Sequence, residues 1–313
     1  MSLQPNYLPM VFCCPKARCQ GFLALFFLLI SFSAFSQSKP SLKELRQQIE
    51  RELSQQPGTF AVAFRDLKTG QELLIREHEN FHAASTMKTP VMIEVYKQAA
   101  QGRFSLSDSM LIKNEFKSIV DGSPYSLNAS DDSDTLIYTR VGTKRPLSAL
   151  VYDMIIVSSN LATNLVIELV DARKVTQTMR DFGAKNIQVR RGVEDKKAFD
   201  QGLNNTTTAY DLMVIFDKMA SGKAVSPEAS ADMIRILLDQ RFNTVIPAQL
   251  PNDVKVAHKT GSIAGVHHDS GIVMLPDGRK YVLVLLGKDL NDESASVRSM
   301  ATVSRLIYDY VTH

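Results

Sequence analysis

Ser85 and Lys88 stand three residues apart in Ala84-Ser85-Thr86-Met87-Lys88, where an apolar, strand-like stretch gives way to a helical pattern over residues 89–101. A helix beginning near Ser85 places both side chains on one face. A serine hydroxyl is a weak nucleophile unless a base lies within hydrogen-bond reach. A lysine one turn away is such a base once its surroundings lower its pKa, and backbone N–H groups at the helix start stabilise developing negative charge. Alone, the same spacing fits a helix cap followed by a solvated lysine. Two later motifs supply partners. Ser158-Ser159-Asn160 ends a helical stretch, and Lys259-Thr260-Gly261 follows the strand-like Val254-Lys255-Val256-Ala257-His258. Taken singly, Ser158 is a helix-end hydroxyl, Asn160 a cap and Lys259 an exposed strand lysine.

The elements that must position these residues follow from periodicity. Residues 42–53 carry a helical pattern behind Ser41 as N-cap. Residues 59–65 and 72–76 read as a hairpin around Asp66-Leu67-Lys68-Thr69-Gly70. Residues 127–135 are acidic and polar, which reads as an exposed, solvated loop without calcium-loop spacing. Pro146 opens a helix with Leu147, Leu150, Val151, Met154 and Ile155 on one face, and residues 161–170 form another. Residues 181–205 are loop-rich. Thr206 to Thr208 cap a helix through Met219, and Ser226-Pro227-Glu228 start one reaching about Gln240. Residues 254–258, 270–275 and 281–286 are strands, with a turn at Pro276-Asp277-Gly278. A last amphipathic helix covers about residues 293–310. This order predicts an α+β fold: a five-stranded, mainly antiparallel sheet from both chain ends, flanked by the terminal helices, plus an all-helical lobe. The sheet lobe spans about residues 37–84 and 206–313, and the helical lobe about 85–205. A cleft between lobes is a natural ligand site.

Residues 1–36 read differently. Lys16 and Arg18 precede an apolar run from Gly21 to Ile30, and Ala34-Phe35-Ser36 resembles a cleavage site, the pattern of a secretory signal peptide. The alternative is an uncleaved anchor, for which the apolar run is short against a span of about 20 residues. Cys13, Cys14 and Cys19, all three cysteines of the 313-residue chain, lie in this leader. The mature chain of residues 37–313 then has no disulfide, cysteine nucleophile or thiolate ligand. Without the leader, 34 basic residues face 33 acidic ones, so no basic field points to nucleic acid. The expectation is an exported, periplasmic or secreted monomer with no membrane span after cleavage. His267 and His268 are adjacent on a strand and face opposite ways, which argues against a two-histidine metal site. Neither a metal nor a cofactor is expected.

With Ser-x-x-Lys, Ser-x-Asn and Lys-Thr-Gly in that order, the chain resembles the class A serine β-lactamases and related penicillin-binding proteins over essentially its whole mature length. The resemblance implies a β-lactamase/transpeptidase-like fold and an acyl-enzyme on Ser85. It implies backbone N–H groups of Ser85 and Ser262 as oxyanion hole, Lys88 assisting deprotonation, and Ser158 relaying a proton to the leaving nitrogen. Asn160 would hold the substrate's side-chain amide. Lys259 and Thr260 would bind its carboxylate, and Gly261 permits close backbone approach.

The chain departs from that pattern in places. Such enzymes carry Arg-x-Glu with Asn four residues on, whereas Arg191-Gly192-Val193-Glu194 adds one residue and Ala198 stands four after Glu194. Glu194 is the expected deacylation base, with Asp195 as rival and a surface acid as the bland alternative. Asn205 replaces an aspartate that commonly pairs with the loop arginine, and Ser159 replaces the middle Asp of Ser-Asp-Asn. The arginine often used for the carboxylate is missing near Ser270; His267 or His268 could supply a donor, His268 being preferred. Fast deacylation makes the chain a hydrolase of penicillin- or cephalosporin-type β-lactams. Slow deacylation makes it a D-alanyl-D-alanine peptidase acting on peptidoglycan stem peptides, or another serine hydrolase. A binding-only penicillin sensor is the third class.

Overall fold

The computed structural model describes residues 40–313 and, ahead of them, Met10. Apart from Met10, the expected leader and its three cysteines lie outside the described residues. Helix α1 (Leu42–Leu53) starts on a capping box: Ser41 Oγ accepts from Glu44 N, and the Glu44 carboxylate accepts from Ser41 N. Strands β1 (Thr59–Asp66) and β2 (Glu72–Ile75) form the expected hairpin. Asp66 Oδ1 accepts from Lys68 N and Thr69 N, and Gly70 takes a φ of +74°, so the turn is built by the residues that announced it. A short β3 (Phe81–His82) leads into a 3-10 turn, Ala84–Met87, and then α2 (Lys88–Ala100).

Between α2 and α3 (Leu147–Ile156) the chain makes small ribbons from β4 (Ser109–Leu111) with β7 (Lys144–Pro146), and from β5 (Phe116–Lys117) with β6 (Pro124–Tyr125). Two 3-10 turns, Ala129–Asp131 and Thr135–Arg140, lie between these ribbons. The stretch read as a solvated loop is therefore ordered, and Asp132 within it is only 5% exposed.

Helix α4 (Asn160–Val170) runs directly into α5 (Ala172–Phe182), which the sequence reading did not assign. Asp171 ends one helix and caps the next with a φ of +68°, so no Gly or Pro marks the junction. Helix α5 buries a narrow face that includes Val175 and Met179 and ends at Gly183 with a φ of +91°. A one-turn α6 (Lys196–Asp200) sits in the loop-rich stretch and precedes β8 (Thr206–Thr207), which pairs with β3. Helices α7 (Ala209–Ala220) and α8 (Pro227–Leu238) begin at the expected caps, Thr208 and Ser226.

Strands β9 (Lys255–Ile263), β10 (Val266–Met274) and β11 (Lys280–Lys288) complete a sheet of order β2-β1-β11-β10-β9. Every pairing in it is antiparallel, more uniform than the expected mainly antiparallel sheet. Alternation splits its side chains between two cores. Phe60, Val62, Phe64, Leu283 and Leu285 join α1 and the final helix α9 (Glu293–Thr312) on the outer face. Ala61, Ala63, Val282, Val284 and Leu286 join the helices on the other. Each fully buried Phe, Leu or Val contributes about 1.5–3 kcal/mol. Strand β9 is one of the two sheet edges, and on it Lys259 and Gly261 share the alternation of Ala257, toward the helices, while Thr260 between them has the opposite side.

Candidate active site

Ten of the thirteen residues of α2 are buried, so this helix passes through the interior and its first residue, Lys88, is fully enclosed. The preceding 3-10 turn lifts Ser85 to the surface of a cleft of about 670 Å³, also lined by Asn160, Glu194, Ser262, Ile263 and Phe199. Strand β9 runs against this turn. A Cβ on Gly261 would lie 2.9 Å from both Ser85 N and Thr86 N, so glycine is what lets the strand come this close. Ser262 follows at the exposed strand end, on the cleft wall.

Behind Ser85 lies a polar chain of buried groups. Lys88 Nζ donates to Ser158 O at 2.7 Å, Ser158 Oγ at 3.1 Å and Asn160 Oδ1 at 2.9 Å. Lys259 Nζ donates to the same Ser158 Oγ at 3.1 Å and to Thr260 O at 2.9 Å. Asn160 Nδ2 donates to Glu194 Oε1 at 2.8 Å. Among the described residues no hydrogen bond joins Lys88 Nζ to Ser85 Oγ. Burial pushes Lys88 down to about 7, against the opposing pull of the Asp132 and Glu194 carboxylates. Burial, reinforced by the Lys88 charge, holds Lys259 well below the ordinary lysine range. Burial also raises Glu194, and the Asn160 amide partly offsets this.

Backbone strain collects here. Ala84, Ser158 and Glu194, none a glycine, have φ of +43°, +58° and +62°. Such conformations persist only where the surroundings over-determine them. For Glu194 the fastenings are visible. Asn164 Oδ1 accepts from Val193 N at 2.6 Å, and its Nδ2 donates to Val193 O at 3.0 Å. Gly192 is required beside it, since a Cβ there would lie 2.3 Å from Asn164 Oδ1. The Arg191 guanidinium donates to Leu203 O, Gly192 O and Asn204 Oδ1. Asn205 joins by backbone contacts: its Oδ1 accepts from Arg190 N and Arg191 N, and its Nδ2 donates to Arg191 O. The Arg191–Asn205 link therefore runs through the main chain of Arg191, without an ion pair.

Two alternatives raised by the sequence are corrected. The Asp195 carboxylate is 1% exposed and accepts from Ser118 Oγ, Ile119 N and Ala198 N, so it fastens the loop and caps α6. His268, preferred as a donor to a substrate carboxylate, is fully buried. Its ring lies 2.9 Å from His82 O and 2.8 Å from His267 O and packs edge-on to Phe81. Burial pushes it down to about 4, leaving it neutral, with both ring nitrogens facing main-chain oxygens. His267 is half-buried and stands opposite Ser262 in the strand register.

Asn164 and Asp132 stand outside the three motifs, yet both fasten the site. Asp132 Oδ2 accepts from Asn160 N and Leu161 N, each at 2.9 Å, and from Tyr138 Oη at 3.0 Å. No local pattern marks its link to α4, because the two partners there are 28 and 29 residues away. The missing middle Asp of the Ser-x-Asn motif is Ser159, whose Oγ caps α4 at Ala162 N.

Known proteins share this arrangement of chain. A family model described as the Beta-lactamase enzyme family matches residues 44–311. The extended-spectrum beta-lactamase PER-1 of Pseudomonas aeruginosa is 25% identical over 294 residues, covering 90% of this chain and 92% of that one. A beta-lactamase of Rhodobacter capsulatus is 28% identical over 270 residues, covering 84% and 87%. Among solved structures, PBP-A superposes with a TM-score of 0.74 at 28% identity, over 88% of this chain and 98% of that one. The TLA-1 extended-spectrum beta-lactamase reaches 0.76 at 19% identity over 88% and 100%, a likeness of fold. With a family match across nearly the whole described chain, this protein belongs to the beta-lactamase enzyme family.

Proposed function

We propose that the protein is an exported serine hydrolase that opens the β-lactam ring through an acyl-enzyme on Ser85 and then releases the product with water. The observation that carries this reading is the enclosed Lys88, bonded to Ser158 and Asn160, with Glu194 on the far side of the same Asn160. A lysine held near 7 is substantially neutral at neutral pH and can take the Ser85 proton as that oxygen attacks the lactam carbonyl. The N–H groups of Ser85 and Ser262 receive the developing oxyanion. As the C–N bond breaks, Ser158 passes a proton to the nitrogen and regains one from the lysine side. A substrate carboxylate arriving near Lys259 and Thr260 favours the charged ammonium there, which burial otherwise opposes.

Glu194 then removes a proton from the water that attacks the acyl carbon; burial raises it above the ordinary carboxylate range, which strengthens the carboxylate as a proton acceptor. The product is the ring-opened acid. Relatives carrying the name beta-lactamase support the substrate class. Residues 1–36 act as a signal peptide, delivering a monomer to the periplasm or medium; no helix among the described residues is long and apolar enough to cross a membrane.

A second reading, a penicillin-binding peptidase with slow deacylation, draws on one feature. Ala198, buried, stands four residues after Glu194, so no amide at that position holds the water. The likeness to PBP-A accords with it, a variant of which is known as an acyl-enzyme complex with penicillin G. Nitrocefin turnover by the purified protein separates the readings. Many turnovers that vanish in Ser85→Ala support the hydrolase, whereas no nitrocefin turnover together with one long-lived penicilloyl adduct per chain after mixing with benzylpenicillin, read by intact mass, supports the peptidase.

A further inference from the structure

We propose that Asp132 is a positioning residue of this site: its carboxylate fixes the start of α4, and so Asn160, while its charge sets the balance between Lys88 and Glu194. The proposal rests on the hydrolase reading above for its kinetic part only. Asp132 comes from a segment outside every motif, yet it is buried and accepts the first two N–H groups of α4 on one oxygen. Free N–H groups at a helix start are normally met by a local cap. Here the local cap, Ser159, reaches only Ala162 N, and a distant carboxylate takes the two that precede it. The first of them belongs to Asn160, whose side chain joins Lys88 to Glu194. Turning Asn160 by a rotamer would break both contacts at once.

Charge points the same way. Lys88 is enclosed beside one cation, Lys259, and two carboxylates, Asp132 and Glu194. Asp132 in turn accepts from Tyr138 Oη and the Asp134 backbone N–H, its charge acts on the Asp134, Tyr138 and Glu194 side chains, and Asp131 also acts on Glu194. Its negative charge favours the ammonium form of Lys88 and the protonated form of Glu194. Both effects hold back the base forms, so removing the charge shifts both toward lower pH. Asp132 thereby meets the two N–H groups that the Ser159 cap leaves free, from a different part of the chain.

The test compares the purified protein with Asp132→Asn, which keeps the shape and an acceptor but drops the charge. Lysine Cε resonances are followed against pH, Lys88 being assigned by its loss in Lys88→Arg. The expected result is a Lys88 midpoint lower by about one pH unit, a tenfold change in its protonation constant. Acylation by benzylpenicillin, read by intact mass, should show its acid limb moved down by a similar amount, with a plateau about tenfold lower. A folded Asp132→Asn protein with an unmoved Lys88 midpoint overturns the proposal. The resonance readout needs no turnover, so a protein that forms no penicilloyl adduct counts against the hydrolase reading alone. If Asp132→Asn does not fold, Asp132→Glu retains the charge and displaces it. It should keep the midpoint while slowing acylation, and acylation at the wild-type rate overturns the positioning role.

Discussion

Lys88 and Lys259 donate to one hydroxyl, that of Ser158, each over 3.1 Å. Two buried ammonium groups sharing an acceptor cannot both be comfortably charged, and the oxygen between them is the natural path for a proton moving from one wall of the cleft to the leaving group. Ser158→Ala removes that path and leaves two buried donors short of a partner. Acylation by a penicillin should slow by about 10²–10³-fold, a loss typical of removing a positioned proton-transfer group. Stability should fall by about 1–3 kcal/mol. Stopped-flow acylation and urea unfolding check the two parts; a variant that acylates at the wild-type rate contradicts the relay.

The enclosed lysine also makes stability depend on pH. Lys88 titrates near 7 in the folded chain and near 10.4 when unfolded, so between these values the unfolded chain binds the extra proton. Stability from this group is therefore complete above the unfolded value and lost as pH falls toward 7, by on the order of a few kcal/mol. Lys259 adds to the same slope, being lowered as well. Urea midpoints measured from pH 6.5 to 10 should rise more steeply for the wild type than for Lys88→Met, and Lys88→Met should be the more stable at pH 7. Parallel curves for the two proteins contradict the buried-lysine account. In the wild type, acylation should fall about tenfold per unit below pH 7.

Gly261 joins the sheet to the Ser85 turn. Alanine there would place its Cβ 2.9 Å from two backbone nitrogens, which cannot swing aside as a side-chain tip can. Gly261→Ala should cost about 1–3 kcal/mol of stability, as overpacking does, and displace Ser85 from the end of β9. A loss of 10²-fold or more in kcat/KM is expected, with a Ser85 still present but poorly acylated. Wild-type kinetics in this variant would mean that β9 does not press on the Ser85 turn.

The parts of this fold that were readable in the sequence are those fixed by short-range rules. Ser41, Thr208 and Ser226 cap helices at the expected positions, and the Asp66–Gly70 and Pro276–Gly278 turns join the expected strands. Tyr281 to Leu286 were readable as a strand, and their unbroken apolar run is what a strand covered on both faces requires. What escaped was set by long-range contact. Helix α5 follows α4 without a breaking residue, and Asp132 looked like a loop acid because its partners lie on another helix. Asp195 and His268 were candidates by proximity in sequence, and packing turned both to structural work. The three motifs placed Ser85, Lys88, Ser158 and Lys259 in one neighbourhood, whereas how Glu194 is held depends on Asn160, Asn164 and Gly192, which no spacing rule joins.

The central claim is that Ser85 carries the acyl group and Glu194 drives its release. The most direct measurement is an intact-mass time course of wild type and Glu194→Gln mixed with benzylpenicillin at pH 7.5. The amide keeps the hydrogen-bonding shape of the side chain and removes the base. The wild type should show an adduct only transiently, and Glu194→Gln should accumulate one penicilloyl group on Ser85 with decay slowed by 10²-fold or more. Equal decay in the two proteins, or an adduct that maps away from Ser85, would contradict the account.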